Sequence, residues 1–367
     1  MPDLFGERLT RSELEARIGT LSAVGGITEF EYSSGRARGV RAVRLDTGRL
    51  CVEFVIDRAL DIARAVIDGV PFAWRSTNEI AAPSYYDPSG DEWLRSFFGG
   101  WLTTCGLANF GPAGRDAWGA FGLHGRIDNT PAGEYLARTY WEGDRCFLEL
   151  AASMHESKAL DTNLVLHRRW RSELGSTTLH LEDRVVNVGD KRAPHMLLYH
   201  CNAGFPLVGE QTRVYASRSA TAARDADAQA GIESWDRGGM PVADFAEQVF
   251  IHRPTACADG QARATIVNTA ACGGHGIGFE IAYDPVALPA LFSWRQLSRG
   301  EFVLAVEPAN TPAIQGREYA AAHGLLPFLE PGEDRRYTLA FTALRGDDLT
   351  ASIATIAKAN ATSAAAR

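Results

Sequence analysis

The chain has 367 residues, 46% of them hydrophobic and 22% charged, with 37 basic against 45 acidic side chains and a net charge of -8. That balance describes an ordinary globular protein with room for a large core, and no basic cluster supports a nucleic-acid partner. No apolar run approaches the roughly 18–20 residues of a membrane-spanning helix, and the charged start of the chain (Asp3, Glu7, Arg8, Arg11, Glu13, Glu15, Arg17) has no apolar segment of a secretory signal. The six cysteines, at positions 51, 105, 146, 201, 257 and 272, have neither metal-site spacing nor the density of a disulfide framework. They read as free thiols of a reducing, cytoplasmic compartment.

Residues 10–18 read as a short helix, because Thr10 and Glu13 have capping-box spacing and Leu14 and Ile18 share a face. From about residue 24 the pattern turns to strands over 40–45, 49–56 and 62–67, β-branched and split by Gly, Asp and Arg, which makes a run of hairpins. Arg58 and Asp61 stand in one connection. Either they pair with each other and shape the turn, or both face a ligand. An exposed ion pair contributes only ~0–1 kcal/mol, which favours a partly buried or ligand-facing role.

Residues 74–131 are the least strand-like part of the chain. Trp74, Tyr85, Tyr86, Trp93, Phe97, Phe98, Trp101, Phe110, Trp118 and Phe121 crowd there among many glycines. A loop region this long is functional or disordered, and disordered segments are poor in aromatics. Aromatic faces interleaved with polar groups suit a sugar, whose C–H faces lie on rings and whose hydroxyls need partners. A plain aromatic mini-core under a long loop is the alternative. Trp74 and Asn109 are binding candidates within this region. His124-Gly125-Arg126 is a sharper signal: glycine permits positive φ or close backbone approach, so the flanking His and Arg can reach one ligand.

Regular strands return over 147–153, 163–170 and 177–188, where His155, His167 and His180 read as surface or structural. In the strand at 196–199, the period of two puts His200 on the face of Met196 and Leu198, with Asn202 following on the same side. His195 falls on the other face, which argues against a His–His metal pair. Residues 210–265, polar and irregular, read as an excursion within a larger β domain. Strands resume at 277–283, 290–296 and 302–306. In the last of these, five apolar residues lead into Glu307, and Pro308 is expected to end the strand or bend the chain away. Glu307 then sits on the lip of a sheet, where a general base is well supported. A strand at 335–344, a short helix at 348–357 and a frayed tail at 361–367 complete the reading. No phosphate loop, His-Glu-x-x-His or Gly-x-Ser-x-Gly is present.

The order of the aromatic loop, His124-Gly125-Arg126, Tyr199-His200-Cys201-Asn202, Val306-Glu307-Pro308-Ala309-Asn310 and the closing Gly324-Leu325-Leu326-Pro327-Phe328-Leu329-Glu330-Pro331-Gly332-Glu333 resembles the aldose 1-epimerase (galactose mutarotase-like) superfamily, in a divergent bacterial branch. The resemblance runs over roughly residues 25–345. It implies an all-β fold, one large antiparallel β-supersandwich with a few short helices. A helical segment (1–24) precedes this domain (25–345), and a helix and tail (346–367) follow it.

The resemblance also implies that His200 is the general acid on the ring oxygen of a sugar and Glu307 the general base on its anomeric hydroxyl. His124, Arg126 and Asn202 would bind the sugar, with Arg58 and Asp61 behind them. Where better-known mutarotases carry His-x-Tyr-Phe-Asn, this chain has His200-Cys201-Asn202. Ring opening needs no cofactor and no metal, and each proton transfer contributes ~10²–10⁴-fold. The expected partner is a small-molecule sugar, and the chain is expected to be a monomer or homodimer. Two other readings stay open. One is a lyase or isomerase for an oxidised or acidic sugar held by Arg58 and Arg126, with metal assistance. The other is a non-catalytic carbohydrate-binding domain.

Overall fold

Strands dominate because β-branched and apolar residues alternate with polar ones over long stretches, and turn residues interrupt them. In the computed structural model, which describes residues 1–365, these strands assemble into three large antiparallel sheets. A five-stranded sheet runs in chain order through Gly26–Glu31, Arg41–Asp46, Leu50–Val55, Asp61–Ile67 and Val70–Pro71.

The eight-stranded sheet is ordered Tyr135–Glu142, Arg145–Ser157, Asn163–Glu173, Thr178–Asn187, Asp334–Leu344, Ile277–Tyr283, Ala262–Asn268, Arg213–Ala216. The six-stranded sheet is ordered Arg218–Ala223, Gln248–Pro254, Ala290–Ser298, Glu301–Ala309, Leu198–Ala203, Thr103–Cys105. The expected all-β supersandwich is therefore what the chain forms.

One apolar cluster joins all three sheets. Phe54, Trp170 and Phe341 meet at its centre, with ring centroids 5.3 Å (Phe54–Trp170) and 5.1 Å (Trp170–Phe341) apart. The six-stranded sheet gives Tyr199, Cys201, Leu291, Leu304 and Val306 to this core. Its opposite face carries a second cluster, in which Leu198, Val249, Phe292, Val303 and Ala309 pack under Trp74, Trp93, Phe97 and Phe110 of the long loop region. The loop aromatics are thus a lid core and a wall at once. Trp101 is buried instead in the main core against Phe72, and Phe98 packs with Val40 and Val55.

Several expectations need correction. The stretch 210–265 is not an excursion: it supplies four strands, two to the eight-stranded sheet and two to the six-stranded sheet. Its short alternations, broken by polar turns, hide strands whose partners lie elsewhere in the chain. Pro308 does not end its strand, which runs on to Ala309 with Pro308 opposite Leu291. The C-terminal helix spans Asp347–Ala365, longer than expected, and leans through Leu349 and Ile353 on Val267, Leu344 and Tyr215. Of the expected frayed tail, residues 366–367 lie outside the described residues, and the rest is helical. The N-terminal helix, Arg11–Glu15, carries the capping box between Thr10 and Glu13, and a two-stranded ribbon (Asp3–Leu4, Glu7–Arg8) precedes it. Among the described residues no helix is long and apolar enough to cross a membrane.

Candidate active site

The register of two neighbouring strands sets the centre of the site. Leu198 pairs with Ala309 and Asn202 with Ala305, which puts His200 opposite Glu307. Both side chains point to the face covered by the loop aromatics. His200 Nε2 lies 3.5 Å from Glu307 Oε1, and the two residues are 6% and 2% exposed. Glu307 is not on a lip; it lies inside a central strand.

Burial governs the charge of this pair. The Glu307 carboxyl is pushed up to about 8, first by desolvation and then by Glu247, against a smaller opposing pull from Arg224. Desolvation, with His124 nearby, pulls His200 down to about 3. Near neutral pH the arrangement is a protonated carboxyl beside a neutral imidazole, not an ion pair. Glu307 Oε1 and His200 Nδ1 have no hydrogen-bond partner among the described residues. Buried polar atoms left unpaired are expensive to keep, and these two are free to bond a water or a ligand.

The pair sits in a cavity of about 310 Å³. Rings enclose it. Phe97 and Trp294 lie 5.3 Å from the His200 ring, His124 lies 6.0 Å from it, and Trp93 stacks on Phe97 at 4.5 Å. His124 is held by the turn that the sequence singled out. Gly125 has φ +76°, and a Cβ there would stand 2.3 Å from the Gly106 carbonyl oxygen, so both roles expected of this glycine are filled. The Gly111 N–H donates to His124 Nδ1 at 3.4 Å, which leaves Nε2 of the neutral ring as a donor. Enclosure and then Arg224 draw the His124 imidazole down to about 4.

The structure does not bring every expected residue here. Arg126 is exposed and lines a separate pocket of about 120 Å³ with Glu156, Lys158 and Arg317, so His124 and Arg126 diverge from their shared glycine. Asn109 borders that second pocket too, and its amide donates to the Gly122 carbonyl. Arg58 and Asp61 neither pair with each other nor face the cavity. Arg58 is fully buried on Asp128 at 2.9 Å, and Asp61 on Arg168 at 2.6 Å, with two further bonds from Thr104.

The role of Arg58 and Asp61 is indirect. Asp128 also accepts the Trp93 indole N–H at 3.0 Å, and Thr104 belongs to the strand beside His200. A three-residue spacing cannot tell which distant partner a buried charge will find. Trp74 lies one layer back, against Phe97 and Trp294. Asn202 is fully buried behind His200, its amide donating to Gly100 O and His200 O, both at 3.0 Å. Its side chain raises the His200 pKa against the larger effect of burial. His195 is turned away, as expected, with its ring between Leu107 O and Tyr337 Oη.

Arg224, Glu247 and Trp294 are among the lining residues that were not anticipated. Arg224 and Glu247 meet at 2.8 Å at the edge of the cavity, and the Trp294 indole N–H donates to Glu247 at 3.1 Å. Arg224 and Glu247 come from the misread 210–265 stretch and are united by strand pairing across its two ends. Trp294 was legible, because it shares a strand face with Phe292, which stands opposite Glu307.

A family model described as a domain of unknown function, DUF4432, matches residues 37–343. The chain belongs to the DUF4432 family. No curated protein matches this DUF4432 chain in sequence. Among solved structures, it is similar to a provisionally named aldose 1-epimerase from Klebsiella pneumoniae, with a TM-score of 0.84, 24% identity, and coverage of 91% of this chain and 87% of that one. A galactose mutarotase-like protein from Clostridium acetobutylicum aligns with a TM-score of 0.59 and 12% identity, over 88% and 99% of the two chains. Galactose 1-epimerase from Lactobacillus acidophilus aligns with a TM-score of 0.51 and 12% identity, over 88% and 99%. At these identities the likeness is one of fold: this DUF4432 chain adopts the galactose mutarotase-like sandwich.

Proposed function

We propose that this DUF4432 protein is a mutarotase that interconverts the anomers of an aldose by acid–base ring opening. The observation that carries the reading is the buried Glu307–His200 pair, 3.5 Å apart, with unsatisfied atoms at the base of an aromatic-walled cavity. The names of two fold neighbours, a provisionally named aldose 1-epimerase and a galactose 1-epimerase, support the same class.

The chemistry needs two groups and one proton between them. One group takes the anomeric hydroxyl proton as the bond from C1 to the ring oxygen breaks, and the other protonates that oxygen. Rotation about C1–C2 turns the other face of the aldehyde to the ring hydroxyl, and closure returns both protons. With Glu307 as base and His200 as acid, the shared proton starts on His200. Burial favours the uncharged arrangement with that proton on Glu307. Either the proton crosses within the pair before opening, or the two roles begin reversed. Both routes close the cycle, because opening and closing exchange acid and base. His124, with Nε2–H directed by its bond to Gly111, is a donor for a neighbouring sugar hydroxyl, and the rings supply apolar faces for the C–H surface.

The competing reading, an enzyme for an acidic sugar gripped by Arg58 and Arg126, loses its support because neither guanidinium lines this cavity. A binding-only domain is separated by turnover. The test is NMR exchange spectroscopy of anomers over a sugar panel, with Glu307→Gln as control. Accelerated interconversion that the variant loses supports the reading, and no acceleration with any sugar overturns it.

A further inference from the structure

A second cavity backs onto the first across a single turn. His124 lines the catalytic cavity, Arg126 lines the other, and Gly125 stands between them. The second cavity is the smaller, about 120 Å³ against about 310 Å³. Most of its charges are already matched. Arg317, only 4% exposed, is bound twice by Asp116, at 2.7 and 2.9 Å. Lys158 pairs with Asp161 at 2.8 Å. Glu156, 7% exposed, accepts the Leu107 N–H at 2.9 Å, and burial pushes its carboxyl above the usual carboxylate range.

Arg126 is the cation left over. Its side chain makes no ion pair and no hydrogen bond among the described residues. The Trp118 indole N–H and the hydroxyls of Ser157 and Thr162, which line the same pocket, have no hydrogen-bond partner among them either. Both lining carboxylates, Glu156 and Asp161, already have a donor. The unengaged groups are therefore all able to donate, and one of them is a planar cation. Such a set complements an oxyanion, because a guanidinium fork meets two oxygens of a carboxylate or a phosphate at once. The pocket also touches the turn that carries His124. Tyr86 Oη donates to the Gly125 carbonyl at 2.8 Å and the Asn109 amide to the Gly122 carbonyl at 2.9 Å, and both side chains line the pocket.

We propose that this pocket is a second binding site, which takes a small oxyanion, a phosphate or the carboxylate of a short-chain acid, on the Arg126 guanidinium. The site is separate from the catalytic cavity and does not depend on the mutarotase reading.

The experiment is calorimetric titration of the full-length protein with inorganic phosphate and, separately, with lactate, in about 0.15 M chloride salt to screen weak surface contacts. Wild type is compared with Arg126→Ala and Arg126→Lys. The exposed position of Arg126 lets both variants fold, which anomer exchange and tryptophan fluorescence check. The expected result is saturable one-site binding of at least one of the two anions, weakened about tenfold or more by Arg126→Ala and less by Arg126→Lys, which keeps the charge and loses the fork. Which anion binds separates the phosphate from the carboxylate source. No saturable binding of either anion overturns the inference, and so does binding that Arg126→Ala leaves intact, since the anion then sits elsewhere on the surface.

Discussion

Replacing Glu307 by glutamine keeps the shape of the side chain and removes its titratable proton. In the folded chain that carboxyl ionises near pH 8, against 4.5 in an unfolded chain, because it is buried in a central strand beside Glu247. A group whose pKa is raised by folding favours the fold fully below its unfolded pKa, and the benefit is lost as pH rises through its folded pKa. For Glu307 the loss begins near pH 4.5 and is complete just above pH 8. Each pH unit of that gap is worth ~1.4 kcal/mol, which sets a ceiling of about 5 kcal/mol. Between pH 6 and pH 9 the wild type therefore sheds about 2–3 kcal/mol that the glutamine variant keeps.

Urea unfolding of both proteins at the two pH values, followed by tryptophan fluorescence, measures this difference. The variant is expected to gain on the wild type at pH 9 and to lose about 10²–10⁴-fold in anomer exchange. Parallel loss of stability in both proteins would refute the placement of a buried, protonated carboxyl at position 307.

The same proton gives activity its pH dependence: kcat/KM is expected to be flat from pH 5 to 7 and to fall above about 8, where Glu307 loses the proton that the pair shares. A rate that keeps rising through pH 9 contradicts the one-proton requirement. Arg58→Ala leaves Asp128 buried and unpaired and is expected to cost about 3–5 kcal/mol in chemical denaturation. Arg126→Ala, on the exposed far side of the same loop, should stay within about 0.5 kcal/mol of wild type and leave anomer exchange unchanged. Gly125→Ala forces a Cβ against the Gly106 carbonyl at positive φ; a stability loss of at least about 1–3 kcal/mol and a displaced His124 are expected, the latter seen as reduced exchange.

Local pattern carried much of this protein. Alternation within single strands exposed the hairpins before residue 70, the strands at 277–283 and 335–344, and the shared face of His200 and Asn202, because which side a residue faces depends only on its neighbours along the chain. The need for glycine at 125 was legible for the same reason. The apolar run leading to Glu307 marked a strand, although its continuation through Pro308 was not foreseen. Partners were not legible. The ion pairs of Arg58 with Asp128 and Asp61 with Arg168, the divergence of Arg126 from His124, and the meeting of Arg224 with Glu247 all join residues far apart in sequence or turn on side-chain direction in a loop. The charge state of the centre was hidden as well. The acid and base roles that the resemblance implies put the shared proton on His200 and leave Glu307 ionised. Only the tertiary structure sets them opposite each other inside a sheet, under a layer of aromatic rings, where desolvation outweighs their attraction and leaves both neutral.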